Sequence, residues 1–336
     1  MYKFYFNSNK LFFLFIIINS TMISISANSW FGCWIGLEIN LLSFIPLISN
    51  VNNLLSSEAA LKYFLIQSIS SMNLMFLIIN INMLKNMEFF FLSLMLINMP
   101  LLMKMGSVPF HFWFINMIEG LSWMNCFLIM TWQKITPLIM IFYLYNFKFL
   151  FIIIMINAII GAIGGLNSIS LRKILAFSSI NNLSWMISSM LISENLWLLY
   201  FFIYSSLNLT IIFMFNFLKI YFFNQLFSNN FKNYLKMMIL INLFSLGGLP
   251  PFLGFFSKWM TINYLINYNM IFMNMMLIMT SLIMIFLYLR IMYSTFMINY
   301  MKLKWFKFKN KLNNYLLMVN YFITLMGLPL SSLLFF

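Results

Sequence analysis

The chain has 336 residues, of which 63% are hydrophobic and only 7% charged, and its formal net charge is +14. A soluble domain carries about 25% charged residues to cover its surface, so this composition excludes a water-soluble globule. It also argues against nucleic acid as a partner: no soluble basic face exists to present to phosphates, and the lysines lie mostly between apolar runs, where they set membrane orientation.

The apolar runs predict spans at 11–27, 30–48, 59–80, 88–118, 122–145, 148–165, 171–192, 195–221, 236–266, 270–298 and 314–335. About 20 apolar residues cross a bilayer core, so the fold expected is an all-α polytopic membrane protein of about eleven transmembrane helices. No linker or shift in composition divides the chain, which reads as one transmembrane domain over 1–336. Lys3 and Lys10 ahead of Leu11–Ile18, with small residues around 24–27, superficially resemble a signal peptide, but the segment is long enough to be the first span.

Glu38 lies at the centre of the second span. Glu58 and Lys62 open the third at the i,i+4 spacing of a local helix pair. The fourth span carries Lys104 and is then interrupted by Gly106-Ser-Val-Pro109, with His111 beyond the interruption in Pro-Phe-His-Phe-Trp. Lys134 is near the centre of the fifth span, and Arg172-Lys173 opens the seventh. The ninth is interrupted by Gly247-Gly-Leu-Pro-Pro251, with Lys258 following.

The fourth and ninth spans have 31 residues each, about 46 Å of helix at 1.5 Å per residue, too long for an untilted crossing. Proline removes an internal hydrogen bond and forces a break, and freed carbonyls in lipid need protein or water partners, so each break should face a cavity inside the bundle. Broken helices in corresponding halves point to a transporter of two related repeats, here about 11–145 and 148–298, followed by a C-terminal helix at about 314–335. The basic residues segregate by side. Lys3, Lys10, Arg172, Lys173, Lys232, Lys236 and the run Lys302 to Lys311 fall on the N-terminal side, against little beyond Lys85 and Lys148 opposite. The N-terminus is therefore expected on the matrix side and the C-terminus in the intermembrane space.

The matrix side refers to a mitochondrion. Phe, Ile, Met, Asn and Lys are abundant, Ala and Arg are scarce, and 32 methionines fit a mitochondrial code that reads an extra codon as Met. Two cysteines, Cys33 and Cys126, and one histidine are too few for an iron–sulfur, haem or zinc site, so no metal or redox cofactor is expected on this chain.

Glu38, Lys104, Lys134 and Lys258 are the chemistry-bearing set. Each ionisable group at mid-membrane costs about 2.5–3.5 kcal/mol, of order 10 kcal/mol for four if the costs add. A low-dielectric environment favours the neutral form of a lysine and a neighbouring carboxylate favours the charged form, so changing their separation makes the lysine bind or release a proton. The pattern suits a proton relay, with Glu38 and Lys104 as the switching pair and water in the opened cavities between groups. His111 is a second candidate at a channel mouth, since an imidazole titrates near neutrality. Lys173 has a topogenic role by default.

At these residues the sequence resembles the NADH–ubiquinone oxidoreductase chain 2 family, the mitochondrially encoded antiporter-like subunits of respiratory complex I. The matching stretches are Gly36-Leu-Glu-Ile-Asn40, Glu58-Ala-Ala-Leu-Lys-Tyr-Phe64, Lys104-Met-Gly-Ser-Val-Pro-Phe-His-Phe-Trp113 and Thr131-Trp-Gln-Lys-Ile-Thr-Pro137. Gly161-Ala-Ile-Gly-Gly165, Leu171-Arg-Lys-Ile-Leu-Ala-Phe-Ser-Ser-Ile180 and Leu246-Gly-Gly-Leu-Pro-Pro-Phe-Leu-Gly254 continue the series through to Lys258. The resemblance implies an antiporter-like fold of two inverted repeats in the mitochondrial inner membrane. It implies proton translocation driven by NADH-to-ubiquinone electron transfer in other subunits, which hold the NADH, FMN, iron–sulfur and ubiquinone sites. The implied partners are those membrane-arm and accessory subunits and phospholipids, cardiolipin among them. Lys134 becomes the central relay, Lys258 the exit-side residue of the second half, and Glu38 with Lys104 the switching pair. One departure stands out: many relatives have a histidine after Ser-Ser-Ile, whereas this chain has Asn181-Asn182. Asn182 takes up no proton, so its share of a relay passes to water or to neighbours such as Lys173. Two other functions compete with a coupling subunit. A free-standing cation/proton antiporter fits poorly with a chain that lacks aspartate, and the other is a scaffold with a silent channel.

Overall fold

The computed structural model describes residues 8–50, 52–83, 87–228 and 233–297, with 324, 325, 327 and 329. These residues form fourteen helices, and the β-structure among them is a single isolated antiparallel bridge between Ser170 and Phe222. In chain order the helices are α1 (Ser8–Ser26), α2 (Trp30–Ile48), α3 (Leu54–Met83), α4 (Met87–Met105), α5 (Phe112–Ile118), α6 (Trp123–Met130) and α7 (Trp132–Tyr143). They continue with α8 (Phe147–Leu166), α9 (Leu171–Met190), α10 (Glu194–Leu218), α11 (Asn224–Ser228), α12 (Asn233–Gly247), α13 (Leu253–Asn267) and α14 (Ile271–Met297).

Among the described residues, seven helical segments are long and apolar enough to cross a membrane, with α6 and α7 together counting as one of them. Ten of the expected spans coincide with a helix or with an interrupted pair, each to within a few residues. The eleventh, 314–335, and the basic run 302–311 lie outside the described residues apart from four positions. The chain divides into two compact units, 1–150 and 151–336, with the boundary inside α8.

Both breaks forecast from glycine and proline are present, and they are built alike. In the first unit α4 stops at Met105, and Gly106 turns the chain with φ +70°. The Ser107 amide donates to Leu102 O at 3.1 Å and the Gly106 amide to Met103 O at 3.2 Å. In the second unit α12 stops at Gly247, and Gly248 has φ +83°. There the Leu249 amide donates to Phe244 O at 3.3 Å and the Gly248 amide to Ser245 O at 3.1 Å. Each is a Schellman cap, in which a left-handed residue lets two amides reach back to carbonyls that the ended helix leaves without partners. Both left-handed positions are also tightly enclosed. A Cβ on Gly106 would stand 2.7 Å from Phe114 Cβ, and one on Gly248 would stand 2.8 Å from Lys258 Cδ.

A third interruption carries no such signature. The 122–145 span was expected to be continuous, but α6 ends and α7 begins at Thr131, whose φ of −119° and ψ of −73° depart from ideal helical values. The Thr131 hydroxyl donates to Phe127 O at 2.7 Å, the back-bonding by which threonine bends apolar helices.

Helix α9 is the most enclosed element of the second unit. It buries 17 of its 20 residues, among them Ser178, Ser179, Asn181, Asn182, Ser184, Ser188 and Ser189. A helix this polar is stable in a membrane only when protein surrounds it.

Replacing Gly248 or Gly106 with alanine forces a left-handed side chain into occupied space. The left-handed conformation alone costs about 1–2 kcal/mol. Thermal denaturation in detergent is expected to show each variant less stable than the parent by at least that amount.

Candidate functional site

The first unit gathers two of the expected lysines around one cavity. Lys104, in the last turn of α4, and Lys134, in α7, are 7% and 1% exposed. Both line a cavity with Leu37, Asn40, Leu41, Tyr63, Gln67, Met105, Trp113, Phe114, Ile129, Gln133, Thr136 and Pro137. The cavity offers ≈ 20 Å³ to the centre of a water molecule. About 10–15 Å³ of such space admits one water, so the cavity is large enough for hydration. The Lys134 ammonium lies 5.3 Å from the centroid of the Phe114 ring, within cation–π range.

The carbonyls released at the α4 break are satisfied by neutral side chains. Gln67 Nε2 on α3 donates to Lys104 O at 3.0 Å, and Trp113 Nε1 donates to Met103 O at 3.2 Å. Ser107 Oγ adds a bond to Leu102 O at 3.1 Å.

Glu38 is half-buried on α2 and is not among the cavity-lining residues. Its carboxylate attracts the Lys104 ammonium through space, but the two do not form a direct ion pair. The face that α2 turns to the cavity is Leu37, Asn40 and Leu41. Asn40 meets Gln133 there in a reciprocal amide pair: Asn40 Nδ2 donates to Gln133 Oε1 at 2.8 Å, and Gln133 Nε2 donates to Asn40 Oδ1 at 3.0 Å. His111 is buried at the start of α5, with Nδ1 3.3 Å from Pro109 O and its ring 4.1 Å from that of Phe112. It lies outside the cavity lining.

The second unit holds Lys258 and Lys173. Lys258, which follows the second break, is only 5% exposed. From α13 its ammonium reaches back across the break and donates to Gly247 O at 2.8 Å and to Leu246 O at 3.3 Å. It thus supplies the donors that Gln67 and Trp113 supply in the first unit, and its charge faces the negative end of the α12 dipole. It also stands 5.6 Å over the Trp185 ring of α9. Beside Trp185 on α9, Asn182 Oδ1 accepts from Tyr200 OH at 2.9 Å, and Tyr204 and Tyr288 bond the hydroxyls of Ser179 and Ser178. Asn182 is therefore set among neutral hydroxyls and amides. Lys173 is half-buried near the start of α9.

Other charges sit as local groups. Glu58 and Lys62 pair on the exposed face of α3 at 2.5 Å, and Glu194 is exposed in the first turn of α10, where the helix dipole favours an anion. Lys236 was expected on the aqueous side with the topogenic lysines, but it lies near the start of α12 and is buried. Cys33 and Cys126 are buried thiols, and Cys126 Sγ donates to Ile118 O at 3.7 Å. Asn40, Gln67 and Gln133 were not among the expected site residues. The signal available for them was a primary amide inside an apolar span, for Asn40 and Gln133 within a few residues of a charge.

Residues 27–284 match the family model described as NADH:quinone oxidoreductase/Mrp antiporter, TM. The chain is 46% identical to NADH-ubiquinone oxidoreductase chain 2 of Anopheles gambiae and 47% identical to that of Aedes aegypti, each over 98% of both chains. It is 49% identical to the Locusta migratoria protein of the same name over 79% of each. Among solved structures, a chain of respiratory complex I from Thermus thermophilus superposes with a TM-score of 0.84 at 17% identity, covering 95% of this chain and 78% of that one. A chain of the Mrp complex from Dietzia sp. gives 0.76 at 14% identity over 84% of this chain and 60% of its own. These likenesses establish an antiporter-like membrane fold.

Two of the buried lysines differ in what their loss exposes. Lys258→Met leaves the Leu246 and Gly247 carbonyls without their donor, whereas Lys104→Met removes a buried charge and orphans no carbonyl. A buried orphan costs about 1–3 kcal/mol. Thermal denaturation in detergent should show Lys258→Met less stable than Lys104→Met by roughly that margin.

Proposed function

We propose, since this chain belongs to the family of NADH-ubiquinone oxidoreductase chain 2, that it moves protons through a buried set made of Glu38, Lys104, Lys134 and Lys258. The chain is a multi-pass membrane subunit of a proton-translocating NADH:ubiquinone reductase, and its partners are the other subunits of that complex. The redox groups, NADH, FMN, iron–sulfur clusters and ubiquinone, belong to those partners.

One observation carries the relay reading: Lys104 and Lys134 open onto the same cavity, which has room for water. The buried Thr136 also lines this cavity, and its hydroxyl oxygen, which has no hydrogen-bond partner among the described residues, is a ready partner for water admitted there. Glu38 acts from outside the cavity as a charge that biases where the proton rests. Lys258 acts at the second break, where its proton is held by the carbonyls that end α12. Asn182 contributes a hydrogen bond to Tyr200 and no titratable site, and Lys173 remains a secondary candidate near the start of the same helix. His111 serves as a secondary group beyond the first break.

The membrane is the mitochondrial inner membrane, with the N-terminus in the matrix. In support, Arg172, Lys173, Lys219 and Arg290 gather at one end of the second unit. The Leu171 amide bonds Tyr221 O at 3.0 Å, the Arg172 guanidinium lies 4.9 Å from the Tyr221 ring, and Arg290 Nη2 bonds Leu166 O at 2.8 Å. A basic end of this kind faces the matrix by the positive-inside rule and suits anionic phospholipid such as cardiolipin. A free-standing antiporter would share the fold, but relatives 46–47% identical over 98% of the chain favour the coupled subunit.

Replacing Lys134 or Lys104 with alanine in the intact complex should lower the number of protons moved per NADH oxidised by sealed membrane vesicles. A scaffold with a silent channel predicts an unchanged ratio, and that result would remove the relay from this subunit.

A further inference from the structure

We propose that Asn40 and Gln133 are positioning residues of the relay, and that their amide pair sets the distance and facing of the Glu38 helix relative to the Lys134 helix. This rests on the relay reading above.

Four features point to that role. The pair is reciprocal, with bonds of 2.8 and 3.0 Å running in opposite directions, so both amide planes are held as well as their separation. The backbones of α2 and α7 barely approach one another, and the amides span the gap at the cavity lined by Lys104 and Lys134. The neighbouring polar tie, Asn125 Nδ2 to Leu47 O at 2.9 Å, joins α2 to α6 about two turns further along. The pair is also placed beside the charges it would govern. Gln133 directly precedes Lys134, and Asn40 lies two positions after Glu38, about 200° around the helix. Rotation of α2 that breaks the amide pair therefore swings the carboxylate, which otherwise acts on Lys104 from a half-buried position. Finally, neither amide gains or loses a proton near neutral pH, so the pair persists whichever lysine carries the charge. A titrating pair at the same place would slip each time a proton moved.

The test uses sealed vesicles containing the whole complex, and it reads protons moved per NADH oxidised, which normalises for turnover and for the amount of assembled complex. Asn40→Leu and Gln133→Leu should each lower the ratio, in the direction of Lys134→Ala. The double leucine variant should fall no further than the lower of the singles, because one interaction is lost in all three. The exchange variant, Asn40→Gln with Gln133→Asn, keeps the two amides and their combined length, and should raise the ratio back towards the parent value. Where leucine prevents assembly, serine at the same positions replaces it and is read in the same way. Single variants with the parent ratio would overturn the proposal. So would additive losses in the double, or an exchange variant that fails to assemble or does no better than the singles. An unchanged ratio in Lys134→Ala defeats the relay itself, whereas a lowered ratio there with normal amide singles defeats only the positioning role.

Discussion

A peptide carbonyl released inside hydrocarbon must find a donor, and the rest of this structure follows from where those donors are found. A helix end in water is finished by solvent, but one inside an apolar bundle must be finished by protein or by trapped water. Both broken helices meet the demand first with backbone, through the Schellman caps at Gly106 and Gly248. They differ in how they satisfy what remains. The first break uses the Gln67 amide and the Trp113 indole, and the second uses the Lys258 ammonium.

That difference changes what the lysines are able to do. In the first unit the side chains that complete the cap are neutral, and Lys104 and Lys134 line a cavity beside it. Their burial has an energetic cost of about 2.5–3.5 kcal/mol each by insertion scales, which the Glu38 charge near Lys104 and the Phe114 ring near Lys134 offset in part. In the second unit the charge is part of the cap. A proton leaving Lys258 weakens two bonds to the end of α12, so protonation and the closure of that break are linked through the same nitrogen.

Much of the fold was legible because hydrocarbon thickness, proline and glycine act over short stretches of chain. Span lengths and the two Gly-x-x-Pro interruptions depend on adjacent residues, and both reappear as helices and breaks. The resemblance to the chain 2 family likewise rested on contiguous motifs. The Thr131 break was not legible, because threonine bends a helix only when its hydroxyl takes the carbonyl one turn back, and most helical threonines leave no mark on composition. The burial of Lys236 was hidden for a related reason: at a span end, lysine composition is the same whether the side chain faces water or the bundle. The Asn40–Gln133 pair joins residues 93 positions apart, and a single polar residue in each apolar span does not disclose its partner. Glu38 shows the converse. Its depth was evident from the span, but its facing was not, and the cavity-lining face of α2 belongs to Leu37, Asn40 and Leu41.

The placement of amides and charges then has a common logic. A group that changes charge is a poor fixed point, since each protonation step alters every hydrogen bond it makes. The chain divides these tasks in the first unit: Asn40, Gln67 and Gln133 hold helices and carbonyls, while Lys104 and Lys134 face the cavity. In α9 the same separation is taken further. Serine, asparagine and tyrosine fill a buried helix face with groups that donate and accept at any physiological pH, and the charged side chain next to it, Lys258, comes from α13. A neutral polar frame keeps its shape whatever charge a neighbouring side chain carries. That persistence is what a relay driven by small changes in charge separation requires, because the separation has meaning only against helices that do not shift with it.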